Sequence, residues 1–222
     1  MMVGHAAVAV GAAKTTPRVN VGWLIFAALL ADVLLGIFVL AGVEHVHVPA
    51  DFASRHYLTF TFPYSHGLLS LAVWGGLFGF MISRMQPTAD RRKVFVVVTA
   101  LVLSHFFLDG LVHVVGLPLA GESSPKFGLA LWSHLPLELT LESLMAALAA
   151  AMFFRTARVS ARSRWGISIF LAVLTAITWT QLWMVQPPAQ SQLIANWVVG
   201  LPILSAIAYT LDRNRVRGGA SS

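Results

Sequence analysis

Six stretches free of lysine and arginine divide this chain, at about 20–43, 66–83, 94–117, 136–154, 165–186 and 191–211. Each is close to the roughly 20 apolar residues that a helix needs to cross the hydrocarbon of a bilayer. The runs therefore predict an all-α fold, a polytopic membrane helix bundle of about six transmembrane helices. Residues 1–211 read as one membrane-embedded domain and 212–222 as a disordered cytoplasmic tail. Composition agrees: 57% of the 222 residues are hydrophobic and only 11% are charged, against roughly 25% charged in an average soluble domain.

The basic residues fall between these runs in a pattern. Lys14 and Arg18 precede the first, Arg84, Arg91, Arg92 and Lys93 follow the second, Arg155, Arg158, Arg162 and Arg164 follow the fourth, and Arg213, Arg215 and Arg217 follow the sixth. The alternate loops carry only Arg55 and Lys126. By the positive-inside rule both termini are expected in the cytoplasm, and the net charge of +6 reads as a topology signal rather than a nucleic-acid footprint.

The apolar segment 1–13 is too short to span and lacks the charged start and cleavage signal of a secretory peptide. It reads as an N-terminal half-helix. With Lys14 at the cytoplasmic interface, His5 lies nine residues, or about 14 Å, into the membrane; the alternative is a helix in the interface plane with His5 solvated.

Against this apolar background the polar residues stand out. Asp32 lies about twelve residues into the first run, and His105 and Asp109 are as central in the third, where an unpaired charge costs about 2.5–3.5 kcal/mol or more. In SHFFLDGLVH, His105, Asp109 and His113 are each four apart, and WSHLPLE repeats that interval at His134 and Glu138. On a helix such residues share a face, and His66 and His134 enter their spans from the outer side. With no cysteine, a bound metal must be held by His, Asp, Glu and water, which favours zinc or manganese. Glu142, one turn beyond Glu138, reads as a hydrogen-bonding partner of the ligands. Glu44, His45, His47, Asp51 and His56 form a polar first outer loop, expected to be solvated. The tryptophans mostly mark span ends.

The ordered strings GHAAVAVG, an Asp late in the first run, YSHGLL and SHFFLDGLVH resemble the YdjM-like family of inner-membrane metal-dependent hydrolases over approximately residues 3–140. That family usually has Pro before the first-span Asp, where this chain has Ala31. The ligand order is also similar to that of zinc-dependent phospholipase C. Carried over, that resemblance implies one metal on Asp32, His66, His105 and Asp109, a second on shared Asp109 and His5, and a third on His113, His134 and Glu138, with three ions as the ceiling. Four residues precede His5, whereas those enzymes also ligate through the terminal residue itself.

An ion with an open position acidifies its water and a second can clamp a phosphoester, with Asp32 or Glu138 as base or water-orienting group. No GxSxG or P-loop string is present. The sequence therefore predicts an integral-membrane metal-dependent hydrolase of the inner membrane, acting on a lipid or lipid-linked phosphoester. The competing reading is a metal or proton-coupled permease, and a third is a structural protein with a buried ion-pair network.

Overall fold

The structure, a computed structural model, describes residues 1–86, 90–156 and 159–213. Arg158 and, from the tail expected to be disordered at 212–222, everything from Asn214 onward, with Arg215 and Arg217, lie outside the described residues; Asp212, by contrast, is buried at the end of the last helix.

Five helical segments are long and apolar enough to cross a membrane, and a bent pair makes a sixth. The chain opens with α1 (Met2–Ala12), followed by α2 (Val21–Ala28) and α3 (Leu30–Leu40), a sharply bent helix pair over the first apolar run. The first outer connection carries β1 (His45–His47), the single turn α4 (Phe52–Arg55) and β2 (Thr59–Thr61). Helices α5 (Leu68–Met85) and α6 (Arg91–Val112) form the second and third spans. A second hairpin, β3 (Leu117–Pro118) with β4 (Lys126–Phe127), precedes α7 (Leu135–Phe154) and α8 (Ala161–Trp179). The last span runs through α9 (Gln190–Ala195), a π-helical stretch at Asn196–Gly200, and α10 (Leu201–Leu211). The two antiparallel hairpins pair His45 with Thr61 and Leu117 with Phe127; the first leads into the start of α5, where Leu69 N donates to Leu119 O beside the second.

Large apolar side chains point outward along the spans, among them Leu77, Phe80, Leu144, Leu148, Ile169 and Ile177, each more than half exposed. A water-soluble surface does not carry apolar cover on that scale. The polar residues lie inside, as an integral membrane architecture requires.

Helix boundaries follow local chemistry. Asn20, Asp90 and Ser160 cap α2, α6 and α8 by accepting from the backbone N–H groups of Gly22, Lys93 and Ser163. Asp212 accepts from Val21 N at 2.8 Å and Asn20 Nδ2 donates to Tyr209 O at 3.1 Å, tying the start of the first span to the end of the last.

One feature differs from the simplest reading of the runs, and a second separates the two readings of the N-terminal segment in favour of the buried half-helix. The first run bends by 53° between Ala28 and Leu30, at a leucine with φ −100° and ψ 3°; no proline or glycine stands at the break. The N-terminal segment is neither spanning nor laid on a surface. It packs among α2, α6, α7 and α8, and His5 is 1% exposed.

Helix α2 packs tightly on α10, because a Cβ at Gly22 would lie 2.5 Å from Ser205 O and 2.7 Å from Tyr209 Cα. Gly22→Ala is expected to cost about 1–3 kcal/mol by overpacking. Gly76→Ala, where a new Cβ meets nothing within 4 Å, is expected to leave stability unchanged or slightly raised; thermal unfolding in detergent compares the two.

Candidate metal centre

Four side-chain atoms from three spans converge in the bundle interior. The bend at Leu29 sets Asp32 in the first turn of α3, His66 precedes α5, and His105 and Asp109 are one turn apart on the buried face of α6. His66 Nε2 and His105 Nε2 are 3.2 Å apart. Asp32 Oδ1 lies 3.6 Å and 3.8 Å from these nitrogens, and Asp109 Oδ2 lies 3.7 Å and 3.4 Å from them. Zinc bonds of about 2.0–2.1 Å imply tetrahedral ligand separations of about 3.3 Å, close to those among Asp32, His66 and His105 and to those of Asp109 from the two histidines.

Around this set lie further donors. His5 Nε2 is 3.0 Å from Asp109 Oδ1, and its ring stacks on His105 with centroids 3.8 Å apart. His5 Nδ1 is buried without a hydrogen-bond partner. His113 Nε2 is 3.1 Å from Asp109 Oδ2, and the Met1 amine is 3.8 Å from Asp109 Oδ1. Among the described residues, two groups have donor atoms close enough to hold a metal ion: Asp32, His66 and His105, in which Asp32 is half-buried, and the fully buried His5, His105 and Asp109. They share His105.

The remaining expected ligands are distributed differently. His113 is the first residue beyond α6, with φ −63° and ψ 142°; its ring contacts Asp109 and lies against Trp132 with centroids 4.0 Å apart. His134 is exposed and belongs to neither group. Helix α7 begins at Leu135, which leaves His134 at its N-cap with φ −129° and ψ 60°. The four-residue step to Glu138 therefore does not place both residues on one helix face. Glu138 is buried and lines the cavity beside the centre, as does Glu142. Glu142 Oε2 also accepts from Gly4 N at 3.0 Å, which anchors the first turn of α1 and with it His5.

The histidine rings are oriented from behind. His105 Nδ1 is 2.7 Å from the Ala28 carbonyl, one of the acceptors left over at the C-terminal end of α2. A carbonyl only accepts, so Nδ1 carries the proton and Nε2 presents a lone pair to the centre. His66 Nδ1 meets Ser65 Oγ at 2.8 Å. Ser65 in turn donates to Glu44, a buried carboxylate of the first outer connection. Burial pushes the Glu44 carboxyl above its ordinary pKa range, opposed by hydrogen bonds from Ser65 and Tyr64.

Sequence reasoning missed three of these elements. Glu44 stood in a loop expected to be solvated; His45, His47 and Asp51 are exposed, whereas Glu44 is buried and His56 half-buried. Ser65 was visible as the residue before His66, but its role depends on Glu44. Trp132 and Trp197, expected at span ends, line the cavity with Asp32, Glu138 and Tyr57. This cavity, about 330 Å³, runs from the centre toward the side of the first outer connection, which supplies Phe52, His56 and Phe60 to its wall. Phe127 of β4 seals the neighbouring end of α6: a Cβ at Gly110 would lie 2.6 Å from its ring.

Removing the Glu142 acceptor leaves the buried Gly4 N–H unpaired, so Glu142→Ala is expected to destabilise by about 1–3 kcal/mol. Glu142→Gln keeps an acceptor and is expected to retain most of that stability. Thermal unfolding in detergent measures both.

Compared with models of protein families, with curated proteins and with solved structures, the chain matches none.

Proposed function

We propose that this protein is a membrane-embedded metal-dependent hydrolase that cleaves a phosphoester of a lipid or lipid-linked substrate, with zinc the favoured ion and manganese the alternative. The observation that carries this reading is the 3.2 Å approach of His66 Nε2 and His105 Nε2 while the Nδ1 atoms face Ser65 Oγ and the Ala28 carbonyl. With the Nδ1 protons directed there, two lone pairs face each other between two carboxylates. A cation between them removes the repulsion and satisfies all four groups.

A divalent ion held by Asp32, His66, His105 and Asp109 would supply Lewis acidity to a phosphoryl oxygen and to a water. Asp32 is the most accessible of these donors, its side chain 22% exposed and lining the cavity. It is therefore positioned to accept a proton from water attacking at phosphorus. That proton then passes to the leaving alcohol as its P–O bond breaks, which restores the carboxylate. Glu138, on the cavity wall, orients the water. Apolar and aromatic walls, including Phe52, Tyr57, Trp132 and Trp197, suit a lipid tail above a polar head. The resemblance to YdjM-like hydrolases and the basic-residue pattern support an inner-membrane protein with both termini cytoplasmic and the cavity toward the outer face.

A proton bridging the two imidazoles satisfies the same geometry and belongs to the permease reading. Elemental mass spectrometry of chelator-free, detergent-purified protein separates the two. One or two equivalents of zinc or manganese, lost in the double variant His105→Ala, Asp109→Ala, are expected; a metal-free wild type rejects the hydrolase. Asp109→Asn is expected to lose both metal and phosphoester turnover, and a variant that loses metal while hydrolysing at the wild-type rate would contradict the mechanism.

A further inference from the structure

The second imidazole of the centre is held by a side-chain relay that reaches it from outside the spans. Glu44 is 1% exposed, unlike its neighbours in the first outer connection. Its Oε1 accepts from Tyr64 N at 2.7 Å and Ser65 N at 2.9 Å, and its Oε2 accepts from Ser65 Oγ at 2.6 Å. Ser65, itself fully buried, lies with its Oγ 2.8 Å from His66 Nδ1.

Counting protons fixes the direction of this chain. An ionised carboxylate only accepts, and a serine hydroxyl has one hydrogen to give. Ser65 spends that hydrogen on Glu44, so its oxygen can only accept from His66. His66 then carries its proton on Nδ1, and Nε2 keeps the lone pair directed at Asp32, His105 and Asp109. His105 reaches the same tautomer through the Ala28 carbonyl, a backbone group. For His66 the choice rests on a replaceable side chain two residues removed from the centre.

We propose that Glu44 is a positioning residue which, through Ser65, sets the His66 tautomer and so makes Nε2 available to a cation. The proposal rests on the metal reading for its consequence, though not for the relay itself. Glu44→Gln is the discriminating change because it preserves shape and an acceptor for the two backbone N–H groups. Its amide donates to Ser65 Oγ, which turns the hydroxyl hydrogen toward His66 Nδ1 and moves the imidazole proton to Nε2. That proton then occupies the ligand position.

The test uses the full chain in detergent with 15N-labelled histidine, and His66→Ala assigns the signals. In metal-free wild type the His66 proton is expected on Nδ1, and in Glu44→Gln on Nε2. Zinc affinity, measured by chelator competition, is expected to fall about 10–100-fold in Glu44→Gln at an unchanged unfolding temperature. Should Glu44→Gln fold poorly, Ser65→Ala breaks the relay while leaving Oε1 of Glu44 on its two N–H donors, and the same loss of zinc affinity is expected. A His66 proton on Nε2 in wild type, or wild-type zinc affinity in a folded relay variant, overturns the proposal. A wild type that binds no zinc but holds the Nδ1 proton sinks the metal reading and leaves the relay standing.

Discussion

Asp109 is the group on which the interior depends. A carboxylate this deep in an apolar bundle is strongly disfavoured unless charges and donors surround it. It has them: His5, His66, His105, His113 and the Met1 amine all lie within 4 Å of its two oxygens. These partners come from α1, the entry to α5, α6 itself and the residue just past it. The same residues that satisfy the carboxylate therefore hold the bundle's first, second and third apolar segments and the short N-terminal helix in one arrangement.

Breaks in the regular helices serve this centre. The bend at Leu29 ends α2 early, and one of the carbonyls at that end accepts from His105. The π-helical stretch at Asn196–Gly200 packs against α3 so closely that a Cβ at Gly36 would lie 2.7 Å from Trp197 Cβ. Asp32 sits between these two irregularities, one turn from Gly36, and Trp197 lines the adjoining cavity. Non-helical backbone at membrane depth is tolerated only where protein or a cavity surrounds it, and the break at the buried Leu29 meets that condition.

Much of the architecture was legible because it is local. Loss of lysine and arginine over about twenty residues marks a candidate span whatever its neighbours are: five of the runs correspond to helices long enough to cross a membrane, and the first to a sharply bent helix pair. The spacing of His105 and Asp109 was equally readable, since a four-residue step inside a helix puts both side chains on one face. The same rule misleads at His134, because the helix starts one residue later and the cap conformation turns that side chain outward. Periodicity holds within an element and says nothing about where the element begins.

The amino-acid sequence thus determined the class of fold, a bundle of long apolar helices, and the chemistry of the donor set, both consequences of hydropathy and short-range spacing. The tertiary structure alone decided which donors meet. Gly4 N and Glu142, 138 residues apart, seat His5, and Glu44 reaches Ser65 across 21 residues. The bend at Leu29 gives His105 its backbone acceptor without a proline or glycine to announce it. Such pairings arise from how helices pack, and packing brings together residues whose separation along the chain carries no signal of their contact.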